Sequence, residues 1–306
     1  MKVSPRPLLR LGSKFLIPRP LLRLGPKFLI PRPLLLKEKG RVLLFFLLLF
    51  TIHCSLFTAS GQSLAPVHNT AFIRGEKLKF TAYYDSYLSG KITAGIATLE
   101  VKFEDKKIDG RSTYHLVGEG KSKGPINYFF KVVDKFESYM DEEYLVPWTF
   151  LRNTHEGDYT VEDEVRFNQY SGSYSSKKAN KNMKSGTHDI LSAFYYCRTL
   201  DFSNLKLGER FPVNFMLDDS VYVSLIEFAG REDVITDLGR FHCLKFKPMV
   251  ATGNVFSQPY PMEIWISDDQ NRIPVLAKSA LSVGSVKLEL VEYKGLANPP
   301  SSLIAK

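Results

Sequence analysis

Few stretches of this chain combine reactive side chains at a spacing that chemistry requires. Residues 118–124 (GEGKSKG) have the end of a phosphate-binding loop, but the glycine needed five residues before Gly120 is replaced by His115. Residues 155–158 (HEGD) carry side chains that bind metals, yet neighbouring strand positions point to opposite faces, which favours a turn. The H-E-x-x-H zinc motif does not occur. The sequence therefore predicts no catalytic residue, no metal site and no cofactor.

The acidic pairs of the chain fit turns better than an active site. Asp218 and Asp219, and then Asp268 and Asp269, stand between predicted strands, where Asp bonds its own backbone. We expect a structural motif of Asp268, Asp269 and Arg272 that fixes the hairpin after Trp265. The alternative is a glycosidase pair, which needs two carboxyl groups about 5–10 Å apart across a groove.

The aromatic residues are more suggestive of a binding site than the acidic pairs are. Many are Tyr, whose ring is apolar and whose hydroxyl prefers a wet edge. One interpretation is packing in the core and at its rim. The other is a ligand-binding groove on the concave face of a sheet that holds an acyl chain or stacks on a sugar. The ligand-binding candidates are Tyr83, Tyr128, Trp148, Tyr195, Tyr196 and Trp265.

The excess positive charge belongs to the beginning of the chain. The 306 residues have a formal charge of +9, but residues 1–61 hold eleven Lys and Arg and a single acid, Glu38. Residues 62–306 hold 30 basic and 31 acidic side chains. Because this body is nearly neutral, it lacks the basic surface that nucleic acid requires, and no nucleic-acid partner is expected.

The first 61 residues read as a leader. Two copies of a 13-residue repeat at 5–17 and 18–30 predict that residues 1–36 are unstructured or extraneous, the alternative being a basic arm on a membrane surface. Residues 37–61 have the three parts of a secretory signal peptide: three basic residues, the apolar run 42–52 and the small residues 59–61. That run is too short for a permanent membrane span. We expect an exported protein in the periplasm or on the periplasmic face of the outer membrane, with lipidation of Cys54 as an alternative.

Two cysteines, Cys197 and Cys243, remain after such a leader is removed. In an oxidising compartment they could pair as a disulfide. They could equally be two separate buried thiols, because free Cys packs as a small apolar residue. Spacing does not decide between these alternatives.

Residues 76–295 alternate between apolar and polar side chains with period two, which predicts about a dozen strands. One helix is expected around residues 188–200, with Thr187 as its N-cap. We expect a mainly β protein, an antiparallel curved sheet or partly closed β-barrel around this helix. A single domain at 76–295 is favoured over two β halves. Residues 62–75 are expected to be a flexible lead-in and residues 296–306 a loose tail.

Two details of this prediction concern the middle of the chain. Residues 127–139 and 144–155 are expected to be strands, with Pro147 placing part of the second at a sheet edge. Residues 221–229 and 232–236 are expected to be separate strands, and residues 171–184 an exposed hairpin or loop.

Five blocks of the sequence resemble a bacterial exported family, domain of unknown function 3108. The blocks are residues 76–101, 187–202 (THDILSAFYYCRTLDF), 239–250, 265–277 (WISDDQNRIPVLA) and 283–295. The resemblance covers about residues 76–295 and implies a β-rich, barrel-like fold similar to lipoprotein carriers of the cell envelope. It implies no catalytic residue and no ligand.

Together these observations favour a non-enzymatic envelope protein. The leading hypothesis is a binder of a lipid or other amphiphile in the concave face of the sheet. The alternative is a scaffold or interaction protein for envelope polysaccharide or outer-membrane assembly, which would have an envelope protein or a glycan as its partner. A glycan-cleaving enzyme is the third and least favoured class.

Overall fold

A computed structural model describes residues 64–87, 90–249, 262–280 and 284–304 of this chain. The predicted leader 1–36, the predicted signal peptide 37–61 and Cys54 lie outside these residues. Residues 60–306 form one compact unit, which contains every described element.

Strands dominate the described residues. The sixteen strands are β1 Lys77–Ser86, β2 Gly90–Val101, β3 Lys106–Ile108, β4 Arg111–Ser122, β5 Val132–Asp141, β6 Pro147–Glu156, β7 Tyr159–Asn168, β8 Ser173–Ser176, β9 Asn180–Asn182, β10 Arg210–Leu217, β11 Ser220–Thr236, β12 Gly239–Pro248, β13 Met262–Ser267, β14 Pro274–Ala280, β15 Ser285–Lys294 and β16 Leu303–Ile304. The two described helices are α1 Ile126–Phe129 and α2 Ile190–Cys197.

All the strands belong to one antiparallel sheet that is not closed. Its main path runs β10-β11-β12-β13-β14-β15-β1-β2-β4-β5-β6-β7-β8-β9, with β3 beside β4 and β16 beside β12. The two meanders, β1–β9 and β10–β15, join where β1 pairs with β15. The prediction of a mainly β, antiparallel open sheet is therefore confirmed.

Helix α2 begins two residues later than the sequence suggested. Asp189, not Thr187, is the N-cap: its carboxylate accepts from the backbone N–H groups of Leu191 (2.8 Å) and Ser192 (2.9 Å). The Ser192 hydroxyl accepts in return from the Asp189 N–H at 3.0 Å, which completes a capping box. Thr187 instead donates its hydroxyl to the Lys184 carbonyl.

Three predicted strands differ in the structure for local reasons. The first four residues of the predicted strand 127–139 fall in α1 and the residue after it, because Pro125 opens a turn that Phe130 closes through its N–H to the Ile126 carbonyl. The predicted strands 221–229 and 232–236 are one long strand, β11. A register shift between Phe228 and Gly230, which has φ 112°, absorbs the turn signal as a β-bulge.

Pro147 does not mark a sheet edge. It is the first residue of β6, a strand that pairs with β5 on one side and β7 on the other. A register shift on β5 between Tyr139 and Met140 falls opposite it. A first strand position tolerates proline because few ladder bonds are lost there.

Both ends of the described chain are packed, which corrects the expected flexible lead-in and loose tail. Ala71 and Phe72 are buried against α2. At the other end Ser302 is buried and β16 pairs with Arg240 and Phe241 of β12. The polar composition of these segments suggested mobility, but side-chain hydrogen bonds and β-pairing hold them.

Candidate functional site

Arg198, at the end of α2, is a buried cation that ties three distant segments together. Its guanidinium donates to both carboxylate oxygens of Glu76, at 2.6 and 2.7 Å. It also donates to the carbonyls of Asn271 and Ala71. Burial acts to lower the pKa of Arg198, but the Glu76 carboxylate outweighs it and raises that pKa. Removing one partner would leave an uncompensated buried charge, at a typical cost of about 3–5 kcal/mol. The pair therefore has a structural role.

The acidic turn after Trp265 is likewise held by hydrogen bonds to its carboxylate. One carboxylate oxygen of Asp269 accepts from the Ser267 hydroxyl (2.9 Å) and from the Asn271 N–H (3.0 Å). The other accepts from the hydroxyl of Ser302 at 2.7 Å. This geometry supports a structural role for the turn, because no oxygen of Asp269 is left for chemistry.

Arg272 and Asp268, the other two residues of the motif, also bond neighbouring segments. Arg272, with φ 48°, donates to the Arg198 carbonyl at 2.8 Å. Asp268 accepts from Arg231 at 3.1 Å. Both side chains therefore hold the turn to α2 and to β11.

The six aromatic candidates do not converge on one site. Tyr195 is fully buried and Trp265 is buried in a different core cluster, where its indole N–H bonds Glu232. Tyr196 stacks on His188 with ring centroids 4.8 Å apart. Tyr83 lies on β1 under the ammonium group of Lys91, whereas Tyr128 is exposed on α1.

Trp148 is the candidate that borders a cavity. Its buried indole donates to Asp141 at 2.8 Å and packs against the ring of Tyr170 at 5.4 Å. The cavity, which we call the groove, has a volume of about 720 Å³ and is open to solvent. It is lined by Ile108, Asp109, Arg111, Trp148, Arg166, Phe167, Asn168, Tyr170, Ser173, Tyr174, Ser175, Asn180, Lys181 and Asn182.

The sheet register brings the polar lining of the groove together. Arg166, Ser175 and Asn180 are successive partners across β7, β8 and β9, and Asn168, Ser173 and Asn182 form a second row two residues along. Sequence reasoning had placed residues 171–184 in an exposed hairpin or loop and did not link them to a site. The available signal was the run of Asn and Ser next to Tyr170.

Arg111, at the border of the groove, is paired with two acidic side chains. The guanidinium of Arg111 bonds both carboxylate oxygens of Asp141 and also contacts Glu143 at 2.9 Å. Burial alone would raise the pKa of Asp141, but hydrogen bonds from Arg111, the Tyr144 N–H and Trp148 hold it below the usual range. Asp141 therefore stays ionised and cannot act as a general acid at neutral pH.

His188 and Asp189 do not form a catalytic pair. His188 is fully buried and stacked on Tyr196, and desolvation lowers its pKa to about 3. The Asp189 carboxylate is occupied by the helix cap and by the Ser138 hydroxyl at 2.6 Å. Burial raises the pKa of Asp189 to about 6. These groups are inside the core, where a substrate has no access.

Residues 120–124 have the spacing of the G-x-S-x-G nucleophile elbow. Ser122 ends β4, and its hydroxyl donates to the Asn127 side chain at 2.7 Å. The same oxygen accepts from the Val132 N–H at 2.9 Å. Because its partners are an amide and a backbone group, Ser122 has no general base and acts as a clamp for the turn.

The two cysteines are free thiols in the structure. Cys197 ends α2 and Cys243 lies on β12. Burial raises the pKa of each thiol to about 12, which makes both poor nucleophiles. Among the described residues, no group of three or more His, Cys, Asp and Glu side chains is placed to hold a metal ion. A helix of the length and apolarity required to span a membrane is likewise not found in the described part of the chain.

The comparisons with known structures return folds of low similarity. A β-barrel-like protein of another domain of unknown function (DUF1849), from Brucella abortus, matches with 10% identity and a TM-score of 0.47, over 73% of this chain and 98% of the other. A candidate lipoprotein from Parabacteroides distasonis matches with 13% identity and a TM-score of 0.33, over 76% and 100%. A candidate exported protein with a YmcC-like fold, from Bacteroides fragilis, matches with 10% identity and a TM-score of 0.33, over 75% and 99%.

Family membership rests on the sequence. The search of curated proteins finds no match for this chain. A family model described as a protein of unknown function (DUF3108) matches residues 79–291, which is most of the described sheet. The resemblance seen in the five sequence blocks is thereby confirmed, and the chain belongs to the DUF3108 family.

Proposed function

We propose that this protein is a non-catalytic, exported carbohydrate-binding protein of the cell envelope, and that the groove is its binding site. The observation that carries the proposal is an open groove in which one exposed aromatic ring stands beside rows of amide and hydroxyl side chains. Export rests on the predicted signal peptide at residues 37–61.

The chemistry of the lining suits a sugar. A pyranose presents C–H groups on its faces and hydroxyl groups at its edge, so it is held by a ring together with groups that both donate and accept. Tyr170 is 63% exposed. The side chains of Asn168, Asn180 and Asn182 are exposed, and an amide has two donors and an acceptor. The oxygen of Asn168 already accepts from the Ser171 N–H.

The ring of Tyr170 is also supported from behind. It packs on Trp148, which is fixed by its hydrogen bond to Asp141. Asp141 is in turn held by Arg111. A surface that is ordered before the ligand arrives loses less entropy on binding, which supports a preformed site.

The same contacts argue against hydrolysis. A glycosidase needs one carboxyl group whose raised pKa keeps it protonated as a general acid. The carboxylate that bonds Trp148 is Asp141, whose pKa is lowered. This supports binding without bond cleavage.

The face of the sheet against which α2 packs offers less support for the amphiphile hypothesis. Leu191 and Tyr195 of α2 pack there against Leu116 and Met140, and all four side chains are buried. An acyl chain at this place would have to displace them. Binding of a lipid in the concave face stays a prediction from the sequence.

Binding to a glycan array of bacterial envelope polysaccharide fragments tests the proposal, with the chain from residue 60 onward as the probe. We expect binding that Tyr170→Ala weakens about tenfold, the equivalent of about 1.4 kcal/mol. Tyr159→Ala, which removes an exposed tyrosine from the start of β7, is the matched control and should bind as the unaltered chain does.

Two results would contradict the proposal. One is an array without a bound glycan, and the other is equal binding by Tyr170→Ala and the unaltered chain. Native mass spectrometry of the protein extracted from cells separates the hypotheses further: a retained lipid would favour the amphiphile hypothesis over the groove.

A further inference from the structure

The connection between β4 and β5 ends in an exposed aromatic surface. We call residues 121–131 the tip; it contains α1. Tyr128 is 89% exposed, Phe129 is 88% exposed and Phe130 is 50% exposed. Single exposed apolar residues are common, but three in succession are expected only where they have a role.

The tip holds these rings out in a defined geometry. Ser122 joins its two ends through Asn127 and the Val132 N–H, and the Lys123 N–H bonds the Ala94 carbonyl of β2 at 2.7 Å. The Gly157 N–H of the next turn bonds the Lys131 carbonyl at 2.8 Å. Because the backbone is pinned on both sides, folding back to bury the rings would break these bonds.

Within the tip the charge has one sign, although Glu156 and Asp158 flank Gly157 in the adjoining turn. Lys121, Lys123 and Lys131 are exposed at the borders of the tip. The sequence has no Asp or Glu from residue 120 to residue 133. A second copy of the same surface would be repelled by these lysines. An anionic lipid surface would attract them while accepting the rings at its interface.

We propose that the tip docks this protein onto the surface of a membrane that contains anionic phospholipid. Tyr128 and Phe129 enter the region between headgroups and acyl chains, where aromatic rings are favoured. The lysines lie among the headgroup phosphates. The contact is peripheral, because the tip is one short turn and its strands continue into the sheet.

The tip is remote from the groove. Arg111 at the groove begins β4 and Ser122 at the tip ends it. A strand of this length spans roughly 35 Å at about 3.3 Å per residue. The two proposals are therefore independent, and a variant of one site should leave the other intact.

Vesicle co-sedimentation of the chain from residue 60 onward tests the docking, because residues 60–306 form one compact unit. The vesicles are phosphatidylcholine alone and phosphatidylcholine mixed with phosphatidylglycerol, each at low and at high salt. We expect binding to the mixed vesicles that high salt weakens. Tyr128→Ser together with Phe129→Ser should weaken it about tenfold or more.

Lysine variants and matched controls complete the design. Each Lys→Gln change at 121, 123 or 131 should weaken binding about fivefold. Phe103→Ser with Tyr222→Ser removes the same two residue types from elsewhere on the surface, and Lys177→Gln with Lys178→Gln and Lys184→Gln removes the same charge as the three tip lysines together. Both control sets should bind vesicles as the unaltered chain does, and circular dichroism should show that every variant is folded.

Four outcomes would overturn the proposal. The first is no sedimentation with either vesicle, and the second is binding that the tip variants leave unchanged. The third is binding that is equal on neutral and anionic vesicles. A change of oligomeric state in the tip variants, without vesicle binding by the unaltered chain, would assign the surface to a second copy and also overturn it.

Discussion

At the scale of single residues, polar side chains from the sequence blocks that carry the family resemblance hold the fold together. Glu76 comes from the first block, Arg198 from the helical block and Asn271 from the block after Trp265, and all three meet at one buried guanidinium. The carboxylate of Asp269 similarly accepts hydrogen bonds within a turn, and that of Asp189 caps a helix. Polar residues that look reactive in the sequence are thus used to hold distant segments together.

His188 makes the stability of the fold depend on pH. Its folded-state pKa is about 3, against about 6.5 for an unperturbed histidine. The unfolded chain therefore binds more protons in this window, and stability is lost as pH falls from about 6.5 towards 3, by about 1.4 kcal/mol per pH unit. Asp189, with a raised pKa of about 6, has the opposite effect between about pH 6 and pH 4, because its folded form takes up a proton first.

The substitution His188→Phe removes the loss of stability at low pH that His188 causes and leaves the opposite effect of Asp189 in place. The free energy of unfolding of this variant, relative to that of the unaltered chain, should rise as the pH is lowered from 6.5 to 4, by about 1.4 kcal/mol per pH unit. Urea unfolding at a series of pH values measures it. Tyr196→Phe, which keeps the stacked ring, should shift stability without changing this slope; a flat difference for His188→Phe would show that the imidazole is not shielded from protons.

At the scale of elements, the last strand is a structural part of the sheet. The Asn298 side chain bonds the Thr70 carbonyl at 2.8 Å, and its N–H bonds Asn271 at 2.8 Å. Ser302 bonds Asp269, and β16 pairs with β12. The segment thereby connects the start of the described chain, the acidic turn and the sheet.

Deleting residues 297–306 should destabilise the protein by about 3 kcal/mol or more, since several hydrogen bonds of about 0.5–1.5 kcal/mol each are lost. The measurement is the free energy of unfolding in urea. Removal of residues 305–306 alone is the control and should have little effect. Equal stability of the two truncated chains would mean that the tail contributes nothing.

At the scale of the whole molecule, the two meanders share one sheet through the β1–β15 pair. Leu78 and Phe80 of β1 pack with Leu290 of β15 and with Phe241 and Trp265 of the second meander. Two β halves joined only by the helical stretch would not share such a core. We therefore expect the described sheet to unfold as one cooperative unit.

The two tryptophans report on the two meanders. Trp148 lies on β6 and Trp265 on β13, so Trp148→Phe and Trp265→Phe each leave one probe. In each variant, the urea midpoint from tryptophan fluorescence should coincide with the midpoint from far-ultraviolet circular dichroism. Separated midpoints in either variant would indicate two units that unfold independently.

The sequence by itself determined the local structure of this protein. Period-two alternation located most strands, and the blocks at 187–202 and 265–277 identified the family, because alternation and short motifs are local properties of a chain. The helix start, the bulge at Gly230 and the place of Pro147 needed neighbouring strands to be decided. Their local signals, a threonine, a glycine and a proline, are compatible with more than one outcome.

Only the tertiary structure decided which side chains meet. The groove depends on the register of β7, β8 and β9, which places Arg166, Ser175 and Asn180 in one row. Tyr195 and Trp265 are separated because α2 packs Tyr195 into one core cluster and β13 places Trp265 in another. Pairing between strands far apart in sequence is set by the packing of the whole sheet, and a one-residue shift in register would move every side chain to the other face.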